Sequence, residues 1–222
     1  MYLLVLGVAP SAAILLYFYY RDRYEKEPGK LLAIMFALGG GAIVPAALIE
    51  SLLGLNGHEK FGMWNAFYYA FIGAALVEES LKYLILRWCI WGNSHFNQLF
   101  DGIVYSIFVS LGFATVENLL YIFSYGTSIG FMRALSAIPG HALYAVTMGY
   151  YLGIARFTVR KQKRRLYLLY SLLIPLILHG LYDFLLLTRM RIMLILLLPY
   201  MIYLLTDGLK KTNKLADVSP KK

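Results

Sequence analysis

Glu78 and Glu79 stand side by side in FIGAALVEESLKYLILRWCIW, residues 71–91, with Lys82 one helical turn further on. The surrounding residues suit a lipid-embedded helix, where a charge near the centre costs about 2.5–3.5 kcal/mol on insertion scales. Carboxylates kept at that cost have chemical uses: a base that activates water, a ligand for a divalent cation, or a station in a proton relay. Adjacent helical positions diverge by about 100°, so one glutamate faces a pocket squarely while the other turns toward a neighbouring helix. Lys82 follows Glu78 by four residues and Glu79 by three, so it can pair with either.

Three more apolar stretches carry titratable groups well inside them: Glu117, His141, and His179 with Asp183 four residues later. At about 1.5 Å of rise per residue, Glu78 and Glu79 fall near the bilayer centre and Glu117, His141 and His179 roughly 4–8 Å toward one face. Four helices therefore place ionisable side chains in one layer. Glu78, Glu79, Glu117 and Asp183 outweigh the single cation Lys82, so either carboxyls share protons or a divalent cation sits among them. Two histidines and a glutamate from separate helices form a plausible zinc set, with one position left for water. Asp183 is spaced to orient the His179 imidazole.

The elements that must position these groups are membrane helices. The 222-residue chain is 60% hydrophobic and 15% charged, too apolar to coat a water-soluble globule. Seven runs of spanning length emerge, at roughly 2–20, 31–53, 65–91, 101–124, 133–156, 166–187 and 190–208. The fold class expected is an all-α polytopic bundle of about seven transmembrane helices. Residues 1–208 form one transmembrane domain and 209–222 a basic, disordered cytoplasmic tail. The first run has no positive charge ahead of it and reads as a retained helix, not a cleaved signal. With the N-terminus outside and the C-terminus inside, cytoplasmic segments hold 16 Lys and Arg against 4 outside, and the polar layer falls in the outer half.

That topology accounts for most of the net charge of +9, with anionic headgroups as the partner and no nucleic acid implied. The run RKQKRR, 160–165, is expected to be a loop at the membrane surface. Cys89 is the only cysteine, which excludes an intrachain disulfide. Gly39-Gly40-Gly41 with Pro45, Pro139-Gly140 and Pro175 are expected to distort their helices. No internal repeat is evident, which counts against inverted-repeat transporters.

Among membrane hydrolases, the H-E-x-x-H zinc motif is absent. GTSIG, 126–130, lacks the strand-turn-helix setting of a nucleophile elbow, and for an aspartyl pair Tyr182-Asp183 offers one aspartate while no Gly-x-Gly-Asp supplies the second. What the chain does carry is Glu78-Glu79-x-x-Lys82, Phe113-x-x-x-Glu117-Asn118, Pro139-Gly140-His141 and His179-x-x-x-Asp183. In order and spacing these resemble the PrsW family of membrane proteases that cut anti-sigma factors, relatives of the CAAX-protease and bacteriocin-processing group. The wider group has Glu-Glu-x-x-x-Arg, Phe-x-x-x-His and His-x-x-x-Asn. Lys82, Glu117 and Asp183 depart from it in the manner of the PrsW branch.

The resemblance implies an intramembrane endopeptidase of the bacterial plasma membrane. It would make the first, site-1 cut in a single-span anti-sigma factor near the outer face. Glu78 or Glu79 would be the catalytic base; Glu117, His141 and His179 would hold the water directly or through a divalent metal such as zinc; Lys82, Asn118 and Asp183 would support them. The same residues also suit a proton- or ion-coupled transporter, or a non-catalytic membrane scaffold whose polar layer fixes register.

Overall fold

The structure, a computed structural model, describes residues 2–22, 25–54 and 62–218. Every regular element among them is helical, and the expected spans appear as seven rods. Helix α1 runs Tyr2–Arg21, and α2, Gly29–Gly41, continues through one non-helical residue into α3, Ile43–Leu52. The third rod joins α4, Met63–Phe67, a π-helix, Tyr68–Ala75, and α5, Leu76–Cys89. Then follow α6, Asp101–Tyr125; the short α7, Thr127–Leu135; α8, Ala137–Phe157; α9, Lys161–Leu187; and α10, Arg191–Val218. Four of these segments, 29–52, α6, α9 and α10, are long and apolar enough to cross a membrane by length and composition.

Helix α6 is the axis of the bundle, packed by α1, α2 and α8. Small residues let backbones touch, as in other membrane bundles. A Cβ at Gly39 of α2 would stand 1.9 Å from the Val109 carbonyl oxygen of α6, and one at Gly112 would stand 2.0 Å from that of Phe36. On the other flank a Cβ at Gly149 of α8 would stand 2.2 Å from the Gly102 carbonyl oxygen. No side chain can yield in such contacts, because the obstacle is backbone.

Several boundaries differ from the sequence reading. The break at Ala42 lies beside the glycine triplet, and Pro45 then sits in the first turn of α3, where its missing N–H costs nothing. Pro139 occupies the first turn of α8 in the same way. The run expected over 133–156 is split, because Gly126 at φ 87° and Ser136 bracket a separate helix, α7. The basic residues Lys161–Arg165, expected in a loop, form the first turn of α9, since Lys and Arg are good helix formers whose heads reach past the apolar layer. Residues 209–218, expected to be disordered, continue α10. Residues 219–222 of that tail, with Arg23 and Lys60 of the charge count, lie outside the described residues.

Where the α1–α2 connection meets the start of α6, a second acidic cluster is buried: Asp22 is 3% and Glu27 5% exposed. The Tyr105 hydroxyl donates to Glu27 Oε2. Burial pushes the Glu27 carboxyl up to about 8, offset by the Tyr105 bond and reinforced by the Asp101 and Asp22 charges. Burial likewise lifts Asp22 to about 6. A carboxyl raised in the folded state binds its proton more tightly than the unfolded chain does, so its stabilisation is complete below the unfolded value of 4.5 and fades as pH climbs to about 8. The thermal midpoint of the protein in detergent micelles is therefore expected to fall across that window more steeply than that of Glu27→Gln. Parallel pH profiles for the two proteins would refute the assignment.

Candidate active site

The third rod brings Glu78, Glu79 and Lys82 to the centre of the bundle, where they are 5%, 1% and 1% exposed. The wider π turn lies just ahead of them, a feature often found beside functional residues. It seats Phe71 against α9 at Gly180, where a Cβ would be only 2.4 Å from the Phe71 ring. That close approach carries the neighbouring His179 toward the glutamates.

The ammonium of Lys82 donates to Glu78 Oε2 at 3.0 Å and Glu79 Oε1 at 2.8 Å, and lies 3.2 Å from His141 Nδ1. Three acceptors match its three hydrogens. The Phe113 ring also lies beside the ammonium, 4.4 Å away at the centroid. His179 stands between two carboxylates, with Nδ1 2.9 Å from Glu79 Oε1 and Nε2 3.3 Å from Asp183 Oδ2. Tyr144 stacks on His179 at 5.0 Å.

His141 is oriented from both ends. Its Nε2 is 3.0 Å from Glu117 Oε2, a carboxylate acceptor, while the Lys82 ammonium, a donor, faces Nδ1. The ring is thus the Nε2–H tautomer, with its Nδ1 lone pair aimed at the cluster. The Ser110 hydroxyl of α6 donates to the His141 carbonyl at 3.0 Å and ties α8 to α6 at this level.

Four expected residues converge: Glu78, Glu79, His141 and His179 each offer a ligand atom, all within 4.8 Å of one another. The donors are two imidazoles and two carboxylates. Glu79 Oε2 is wholly buried without a hydrogen-bond partner, a costly state that a cation would relieve. The set fits a divalent metal.

Glu117, expected among the ligands, stands one step back: it touches the cluster through His141 and forms an ion pair with Arg133 of α7 at 2.7 Å. Asn118, expected as support, turns away and donates to the Gly7 carbonyl of α1 at 3.4 Å. Its helical step from Glu117, about 100°, carries it to another face of α6.

Three residues were not anticipated. Arg133 marked the outer edge of the expected 133–156 span and counted only toward topology. Tyr144 is one turn beyond His141, but a tyrosine in an apolar helix gives no signal of its own. Glu50, near the end of α3, lies within electrostatic reach of Glu78, Glu117, Asp183 and His179. Its signal was available, being a carboxylate inside an apolar run.

A family profile described as PrsW family intramembrane metalloprotease matches residues 27–206, most of the chain and every residue of this cluster. The chain belongs to the PrsW family. Protease PrsW of Bacillus subtilis is 40% identical over 214 residues, covering 96% of this chain and 95% of that protein. Protease PrsW of Geobacillus kaustophilus is 43% identical over 185 residues, 83% and 80% of the two chains. That of Clostridioides difficile is 39% identical over 227 residues, 99% and 93%. No solved structure matches the chain. PrsW membership decides among the three readings of the polar layer: the protein is a membrane-embedded metalloprotease, a multi-pass hydrolase and not a transporter or a silent scaffold.

Proposed function

We propose that this PrsW-family protease makes the first, site-1 cut in a single-span anti-sigma factor, near the outer face of the bacterial plasma membrane. In this reading Glu78 is the general base, and Glu79, His141 and His179 hold a zinc ion. The observation that carries it is the convergence of these four side chains, from three separate rods, on one buried point.

Zinc at that point would supply Lewis acidity, polarising a carbonyl and making a bound water acidic near neutral pH, and a His₂Glu set is one that catalytic zinc uses. The division of labour between the glutamates follows from their partners. Glu79 Oε1 is taken by both Lys82 and His179, and its Oε2 is sealed from solvent. Glu78 has Lys82 as its partner and a side chain 7% exposed, so it is the carboxylate that an entering water can meet. Glu78 takes a proton as the water oxygen bonds to the scissile carbonyl carbon. It then delivers that proton to the amide nitrogen as the C–N bond breaks. Lys82 holds the two carboxylates in register, Asp183 orients His179, and Glu117 orients His141.

Two features support a cut near the outer face. The Lys and Arg distribution, 16 against 4, favours N-out orientation. Along the rods, Glu117 lies late in α6, His141 early in α8 and His179 late in α9, all toward the same end. The test is to reconstitute the purified protein in liposomes with a single-span anti-sigma factor and locate the new terminus by mass spectrometry. A cut at the outer end of the substrate span is expected. Cleavage at the cytoplasmic end, or none, would overturn the proposal.

A further inference from the structure

We infer that Arg133 of α7 is a positioning residue for the hydrolysis, anchoring Glu117 so that Glu117 can fix the His141 ring. The inference rests on the reading of Glu78, Glu79, His141 and His179 as the catalytic centre. One oxygen carries the linkage: Glu117 Oε2 is 2.7 Å from Arg133 Nη2 and 3.0 Å from His141 Nε2. The ion pair is largely shielded, with side chains 17% and 16% exposed, so its attraction is only weakly screened. The guanidinium also lies 3.9 Å from the centroid of Tyr121, one turn along α6 from Glu117, which fixes its approach.

Helix α7 is built to deliver this one cation. It is flanked by Gly126, whose φ of 87° only glycine adopts readily, and by Ser136, whose hydroxyl donates to the Met132 carbonyl at 2.8 Å. Phe131, Met132 and Leu135 are turned outward, 54–64% exposed, while Arg133 reaches inward from between them. No other Lys or Arg occurs from residue 92 to 155, so nothing else on α6, α7 or α8 ahead of Arg156 can take its place. The linkage thus runs from a surface helix through Arg133, Glu117 and His141 to Lys82 and the two glutamates. Without Arg133, Glu117 loses the cation that anchors its Oε2 beside His141, and the carboxylate is free to swing away. The imidazole then loses the partner that keeps its Nδ1 lone pair aimed at the cluster.

The test is a double-mutant cycle on purified protein, with kcat, KM and zinc affinity measured for wild type, Arg133→Gln, Glu117→Gln and the pair. Arg133→Gln is expected to lower kcat and zinc affinity about 10–100-fold, the range found for groups that orient a metal ligand, with KM within about 2-fold. In the Glu117→Gln background the same change is expected to cost no more than about 2-fold, because Arg133 acts through Glu117. Arg133→Lys keeps the charge but loses the planar fork, and is expected to fall between wild type and Arg133→Gln in both kcat and zinc affinity. Should Arg133→Gln fail to fold, the Lys variant decides: wild-type kcat and zinc affinity there overturn the inference. So do multiplying losses in the cycle, or unchanged kcat in folded Arg133→Gln. Glu78→Gln serves as reference: if it is inactive while Arg133→Gln is not, the role of Arg133 fails and the catalytic centre stands. If Glu78→Gln is active, the catalytic reading fails with it.

Discussion

Glu78→Gln is expected to lower kcat by about 10²–10⁴-fold, the usual contribution of a general base, in a protein that folds normally and still binds metal. Glutamine keeps the size of the side chain and an oxygen that can accept from Lys82, so the packing of the centre survives. What it removes is the proton acceptor. Glu79→Gln is expected to be as inactive for a different reason: it weakens the site that holds the metal, so the purified variant is expected to carry little. Cleavage of a single-span substrate, measured beside metal content, separates the two. A Glu78→Gln protein with undiminished turnover would remove Glu78 from the reaction. A metal-replete but inactive Glu79→Gln protein beside a metal-poor Glu78→Gln protein would exchange their roles.

Lys82→Met is expected to be the most destabilising single change in the polar layer. Methionine matches the lysine stem in size, so little packing is lost, but Glu78 and Glu79 are left facing each other with no ammonium between them. Removing one partner from a buried ion pair costs about 3–5 kcal/mol, and here two carboxylates lose the same cation. An exposed pair would be worth under about 1 kcal/mol, so the size of the effect itself reports burial. Reversible unfolding in mixed micelles is the measurement. A Lys82→Met protein within about 1 kcal/mol of wild type would mean that the glutamates do not depend on this ammonium.

The residues legible in the sequence were those whose presence is costly. Glu78, Glu79, Lys82, His141 and His179 announce themselves because each interrupts an apolar run, and the structure gathers all five. The break after Gly39-Gly40-Gly41 was legible for a similar reason, since those residues weaken a helix wherever they fall.

What could not be read depends on rotation and pairing between helices. Depth along an axis placed Glu117 in the right layer, but only its neighbours reveal that it stands behind His141 with Arg133 as its counter-charge. Asn118 shared a motif with Glu117 and lies on another face of α6. Nothing in YYAFIGAA distinguishes a π turn from an α turn, because the same apolar residues suit both, and the contact of Phe71 with Gly180 lies far away in sequence. Arg133 is the first residue of the expected 133–156 span, where a basic residue reads as an ordinary membrane-surface charge, so its reach into the site had no trace in a hydropathy pattern.

The most direct test of the centre is the metal content of the purified protein, measured by elemental mass spectrometry beside the His141→Ala/His179→Ala double variant. About one zinc per chain in the active wild type, as for a single mononuclear site, and next to none in the folded double variant is the expected result. A wild type that cleaves its substrate with no bound metal and is indifferent to chelators, or a double variant that keeps its zinc, would contradict a metal held by Glu79, His141 and His179.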